Sequence, residues 1–292
     1  RWIPESNNCP GFPQGVSGPE LLRRMRAQAR AVDARIEEAR VDRVTPLGDG
    51  FEFAAGDRAW RARRVILATG VRDRLPDADW VADAVACGAL RLCAVCDAYE
   101  ASDQVIGVHG PSDAVGDHAR FLRAYSDDVR VLPQDPGDGG AAGAEARAHG
   151  VDWRPGGGRL DFDGRRCRYI QPDGEAVELD TVYAYFGYDT CAGLAAAAGA
   201  ALTPGGEIIV DADQQTRLEG LYAIGDVVSG LNQISVAVGH AAVAATHAHN
   251  ALPFSPRAQK SPRVAGCLDD LATFCWLRGQ DLNLRPSGYE PD

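Results

Sequence analysis

Residues 93–110 read CAVCDAYEASDQVIGVHG. The first five, Cys93-Ala94-Val95-Cys96-Asp97, place two cysteines three apart. That spacing lets two sulfurs meet within one turn where a helix begins. Free N–H groups and the helix dipole at such a start stabilise a thiolate, taking a cysteine pKa from ~8.5 toward ~7. A thiolate is the form that exchanges with a disulfide. Asp97 follows at once and could hand a proton to a departing sulfur. The competing reading is half of a zinc site, which needs further Cys or His ligands nearby. Cys87 and His109 are the only neighbours, and their spacing does not suit one.

Working outward, Val105–Val108 has the composition of a buried strand and Gly110 of the turn that ends it. Ala114–Tyr125 carries helical periodicity, and Val129–Leu132 is a second apolar strand. Together they predict a βαβ unit, the usual neighbour of a redox CxxC. Upstream, Leu21, Leu22, Met25, Ala29, Val32 and Ile36 recur at helical spacing. Arg40–Val44 and Phe51–Phe53 predict a strand pair, and Arg63–Leu67 a short run ending in Ala68-Thr69-Gly70. Downstream, residues 133–144 predict a surface loop and Tyr169–Leu179 a hairpin around Pro172-Asp173-Gly174. Val182–Phe186, Ile208–Val210 and Leu221–Ile224 predict strands. Gln233–Asn250 predicts a helix rich in small residues.

The segment Leu221-Tyr222-Ala223-Ile224-Gly225-Asp226 is the second chemical signal. A strand ends at a glycine, which admits close approach, and then at a carboxylate able to accept sugar hydroxyls. A helix start follows, with free N–H groups near Gln233 and Ile234. A plain Gly-Asp turn is the competing reading.

The chain has 292 residues, 45% of them apolar, with a net charge of −11 and eight cysteines. That is enough for one large domain or two ordinary ones with a real core. The acidic balance argues against binding nucleic acid. No apolar run approaches membrane-spanning length. The cysteines are scattered apart from one pair, which suits buried thiols in a reducing, cytoplasmic compartment rather than a disulfide scaffold. His240 and His247 share a helix face, but no carboxylate or cysteine completes a metal set there. His109 is expected at a strand end near the surface, and His118 on a solvated helix face.

In order and spacing, Ala68-Thr69-Gly70, the Cys93–Asp97 motif and Gly225-Asp226 resemble the thioredoxin-reductase-like pyridine nucleotide-disulfide oxidoreductases. So do Asn8-Cys9-Pro10-Gly11-Phe12-Pro13, Ser17-Gly18-Pro19-Glu20-Leu21 and Tyr99-Glu100. The resemblance covers roughly residues 1–252. It implies an α/β fold of two Rossmann-like dinucleotide-binding domains, the second inserted into the first. The FAD-binding domain would be residues 1–76 and 190–252, and the nicotinamide-binding-like domain 77–189, carrying the CxxC. Residues 253–292 would be a linker and a non-native tail, with a Leu268–Leu277 helix as the competing reading. Asn8, Thr69, Gly70, Gly225, Asp226, Gln233 and Ile234 would lie near FAD. Cys96 would face the flavin, Cys93 would attack substrate, and Asp97 would be the acid/base.

Three departures qualify these expectations. The chain opens at Arg1, and the loop for the FAD pyrophosphate, with the first strand, is expected about forty residues earlier. The second dinucleotide loop, Gly110-Pro111-Ser112-Asp113-Ala114-Val115, has Ser112 and Val115 where glycines belong. After the second strand, Pro133-Gln134-Asp135 replaces the basic residues that grip a 2′-phosphate, so NADPH is disfavoured and NADH is the better NAD(P)H candidate. The partner would be a small dithiol or disulfide, or a thioredoxin-like protein. Family members are often dimers, though the sequence carries no interface signature. Two alternatives stand beside this reading: a dithiol oxidase passing electrons from FAD to oxygen, and a non-catalytic remnant.

Overall fold

The computed structural model describes residues 2–228 and 230–254. The chain divides into two compact units. Among the described residues, one holds those up to Ala27 and Asp73–Tyr188; the other holds Gln28–Arg72 and those from Asp189 to Phe254. Both units are therefore discontinuous, with the mid-chain segment Asp73–Tyr188 lying between the two segments of the second.

The mid-chain unit is built on a five-stranded parallel sheet. Its order is Leu90–Arg91, Thr181–Ala184, Ile106–Gly110, Val129–Pro133, Asp152–Trp153. The central strand Ile106–Gly110 is buried along its whole length, as expected for a sheet covered on both faces. Helix Gly116–Leu122 carries the chain from that strand to Val129–Pro133, completing the expected βαβ unit. A three-stranded antiparallel sheet, Arg159–Phe162, Cys167–Ile170 and Ala176–Glu178, contains the expected hairpin. Tyr169 ties it to the parallel sheet region, its hydroxyl donating to the carbonyls of Pro133 and Pro155, each at 3.0 Å.

The other unit holds an antiparallel meander, Arg43–Pro46, Phe51–Ala55 and Arg58–Ala62. Beside it, Val65–Leu67 and Leu221–Ala223 pair in parallel, Leu67 opposite Ala223. Their shared core includes Phe51, Phe53, Leu67, Ile208, Leu221 and Val227. Helix Ile234–Asn250 begins at Gln233, as the sequence predicts. None of the described helices is long and apolar enough to cross a membrane.

Several expectations are corrected. Residues 1–27 group with the mid-chain unit, because Trp2 packs on the cluster of Val81, Leu90 and Tyr169. The first helix spans Gly18–Ala31 and stops short of Val32 and Ile36. The chain turns there through Asp33, whose φ is +60°, leaving Val32 exposed. Part of the expected 133–144 loop is helical, since in Gly140–Ala148 five alanines with Glu145 and Arg147 outweigh the helix-weakening Gly140 and Gly143. Ile208 makes single bridges to Leu202 and Val228 rather than a strand. The Leu268–Leu277 segment lies outside the described residues.

His109 is not at the surface. It is 5% exposed inside the central strand, with Nδ1 2.6 Å from the Leu132 carbonyl and Phe186 edge-on to its ring. A carbonyl only accepts, so the neutral ring donates from Nδ1. Burial holds its pKa below the usual 6.5, against the smaller opposing pull of that bond. The unfolded chain then binds the proton more readily, so stability is full above pH 6.5 and falls as the pH drops below it. We expect His109→Gln to cost about 1 kcal/mol at neutral pH. It should also lose less Tm than the wild type on going from about pH 7.5 to about pH 5.5, the range of histidine titration. Parallel melting curves across that range would show that His109 is not the buried group that resists charging.

Candidate functional site

The short strand Leu90–Arg91 delivers the chain to Cys93, which is still extended at φ −149°, ψ 97°. Ala94–Asp97 then form a single helical turn, closed by the Cys96 N–H on the Cys93 carbonyl at 3.0 Å. Buried Ala94 and Ala98 seat the turn, and Val95 points outward. This change of direction at one residue brings the two cysteines to a Cα separation of 5.3 Å, and they form a disulfide.

Asp97 closes the turn. Its Oδ1 accepts from the Tyr183 hydroxyl at 2.8 Å, and its Oδ2 pairs with Arg91 Nη1 at 3.0 Å. Burial raises its pKa, while Arg91 and then Tyr183 pull it down. Tyr185, two residues beyond Tyr183, stacks on His118 with ring centroids 3.6 Å apart. The His118 ring is thus packed rather than freely solvated, and burial lowers its pKa. Sequence reasoning missed Arg91, Tyr183 and Tyr185. The available signal was the alternation of two tyrosines along one strand, which puts both on one face.

In the other unit the fold gathers residues from distant segments. The strands Val65–Leu67 and Leu221–Ala223 are parallel neighbours, so Thr69-Gly70 and Gly225-Asp226 emerge at the same sheet edge. The Ile224 N–H bonds the Leu67 carbonyl at 2.9 Å, locking the two exits together. Ligands of open α/β sheets bind outside such carboxyl ends. Gly225 takes φ +69°, and a side chain there would meet Ala237 of the last helix at 3.4 Å. That helix packs on the turn Gly225–Val227, placing the Gln233 and Ile234 start beside Asp226. Burial raises the Asp226 pKa, with His240 opposing. His240 Nδ1 accepts the Gly225 N–H at 3.3 Å. Asn8 belongs to the other compact unit, where it accepts from Ser6 Oγ at 3.1 Å.

These residues fit part of a flavin nucleotide. The hydroxyl oxygen of Thr69 is buried with no hydrogen-bond partner among the described residues. An orphaned buried hydroxyl is costly unless a ligand satisfies it. The half-buried Asp226 carboxylate and helix-start N–H groups complete a donor–acceptor set suited to a polyhydroxyl chain and a ring carbonyl.

The nicotinamide loop fits less well. Gly110 ends its strand where a side chain would fall 2.3 Å from the Tyr185 carbonyl oxygen. Beyond it, Ser112 is buried, and Asp135 accepts both its N–H at 2.9 Å and its hydroxyl at 2.6 Å. Gly137 donates a third bond to the same carboxylate at 3.0 Å. The Ser112 bonds hold Asp135 below the usual carboxylate pKa. A fixed negative charge therefore stands beside the loop.

The family described as pyridine nucleotide-disulphide oxidoreductase matches residues 23–241. A thioredoxin reductase of Mycolicibacterium smegmatis is 34% identical over 131 residues, 44% of this chain and 41% of that protein. A thioredoxin reductase of Listeria innocua is 27% identical over 258 residues, 84% of this chain and 79% of that protein. The chain thus matches less than half the length of the first relative and about four-fifths of the second. The crystal structure of thioredoxin reductase from Streptococcus pyogenes superposes with a TM-score of 0.76 at 24% identity, covering 85% of this chain and 84% of that one. Its two Rossmann-type domains match the α/β class read from the sequence.

Asp226→Ala removes the half-buried carboxylate acceptor. One charge-assisted hydrogen bond is worth about 1.5–3 kcal/mol, so flavin retention should weaken by roughly tenfold to a hundredfold. The measurement is visible flavin absorbance of purified protein against free-flavin concentration. Retention equal to the wild type would remove Asp226 from the cofactor site.

Proposed function

The chain belongs to the pyridine nucleotide-disulphide oxidoreductase family and is thioredoxin-reductase-like, and we propose that its Cys93–Cys96 pair carries two electrons between FAD and an external thiol or disulfide. The observation that supports this most directly is the Cys93–Cys96 disulfide at the start of a helical turn that ends in Asp97.

Bound FAD supplies a two-electron acceptor and donor. The remaining chemistry belongs to the chain. In the reduced pair, the Cys93 thiolate attacks one sulfur of a substrate disulfide, forming a mixed disulfide and releasing a thiolate. Asp97 gives that thiolate its proton. Asp97, now ionised, takes the Cys96 proton as Cys96 attacks the Cys93 sulfur; the internal disulfide re-forms, and the second substrate thiolate leaves with that proton as a thiol. One substrate disulfide is reduced to two thiols, and the pair is oxidised by the same two electrons. Exposed Val95 and Tyr99 flank the pair as an apolar contact for a small dithiol, a disulfide, or a thioredoxin-like protein.

Thr69, Gly70, Gly225, Asp226, Gln233 and Ile234 would hold the cofactor. Of the two nicotinamide nucleotides, NADH suits Asp135 better than NADPH. Losing two charge-assisted bonds to the 2′-phosphate weakens NADPH binding by roughly 10²–10⁴-fold, and the Asp135 charge adds repulsion.

Cys93→Ser and Cys96→Ser should each reduce disulfide turnover by about a thousandfold or more while flavin stays bound, as expected when a nucleophile is lost. Turnover retained in both variants would eliminate the pair as the redox centre. In the wild type without oxygen, a nicotinamide and a dithiol should each bleach the flavin, with NADH acting at lower concentration than NADPH. Bleaching by a dithiol but by neither nicotinamide would replace the reductase direction with a dithiol oxidase that uses oxygen.

A further inference from the structure

We propose that Arg91 and Tyr183 are positioning residues for Asp97, fixing its carboxylate at the end of the redox turn. The inference rests on the acid/base role proposed for Asp97 above.

The geometry assigns one holder to each carboxylate oxygen: the Tyr183 hydroxyl to Oδ1 at 2.8 Å, and Arg91 Nη1 to Oδ2 at 3.0 Å. The two holders come from adjacent parallel strands and are direct register partners, Tyr183 opposite Arg91. Neither is free to wander. Tyr183 is fully buried. Arg91 donates from Nε to Thr181 Oγ1 at 3.1 Å, and Thr181 in turn donates to the Gly88 carbonyl at 2.9 Å. The Arg91 side chain is only 18% exposed, unlike the guanidinium of an ordinary surface ion pair. Tyr185 bonds the backbone of Ala94 at the other end of the turn. The same stretch of chain thus grips the redox turn at its first and last residues.

The charged and titratable groups facing Asp97 are Arg91, Tyr183, Tyr185 and Glu100. Burial and Glu100 favour its neutral acid, while Arg91 and the Tyr183 hydroxyl favour its carboxylate. Removing either holder therefore moves Asp97 protonation to higher pH. A group meant to exchange a proton with a thiol gains from this opposition, because desolvation pushes it toward the acid and the ion pair toward the carboxylate.

The test reads the dithiol itself and requires neither flavin nor substrate. The protein is reduced, and the alkylation rate of Cys93 by iodoacetamide is followed against pH. The wild-type profile should contain an inflection that Asp97→Asn abolishes. Tyr183→Phe and Arg91→Met should each move that inflection upward by about half a unit or more, roughly threefold in proton affinity. Arg91→Lys should restore most of the shift. Tyr183→Phe keeps the packed ring and carries the test if Arg91→Met does not fold. Profiles that superimpose on the wild type in both holders' variants would overturn the inference, and so would an Asp97→Asn profile equal to the wild type. Failure of the proposed reaction shows elsewhere, as turnover persisting in Cys93→Ser.

Discussion

Two sulfurs can share a bond across three residues only if the chain abandons an extended path and enters a helix at the first of them. At Cys93 the backbone is still extended, and from Ala94 it is helical. The turn is one helical turn long and could not persist alone, since nucleating a helix costs more than a single turn returns. It exists because Leu90–Arg91 is pinned in the parallel sheet before it, and because Ala94 and Ala98 are buried beneath it. The mid-chain sheet is thus a frame that forces this change of direction.

Three aspartates show how the same side chain is put to different uses. Asp97 is half-buried between a cation and a hydroxyl, with its proton affinity raised by desolvation and restrained by Arg91. Asp226 is half-buried at the exit of a parallel strand, and desolvation again raises its pKa, with His240 opposing. Asp135 accepts three bonds from Ser112 and Gly137 and is held ionised. The first can trade a proton, the second can accept from a ligand, and the third carries a permanent charge at the nucleotide loop. Local donors and burial, not residue identity, make the difference.

The parallel strands solve the assembly problem in both units. In one, the Leu67 and Ala223 register brings Thr69-Gly70 beside Gly225-Asp226. In the other, the Arg91 and Tyr183 register brings a cation and a hydroxyl to one carboxylate. Parallel strands exit on the same side, so side chains from remote segments converge there without a long loop to carry them.

The elements whose signals are local are legible in the order of residues. These are the CxxC at a helix start, the βαβ unit from Ile106 to Pro133, the Gly225-Asp226 exit and the small-residue helix behind it. Turn chemistry, apolar periodicity and cysteine spacing are properties of neighbouring residues, so they can be read in one dimension. The folded chain was needed to show that His109 is buried, that the first 27 residues join the mid-chain unit, and that Asp135 binds Ser112. It alone also showed that Arg91 and Tyr183 converge on Asp97. Each of these depends on strand order and register, which set neighbours between segments far apart in the chain, and no local pattern encodes them.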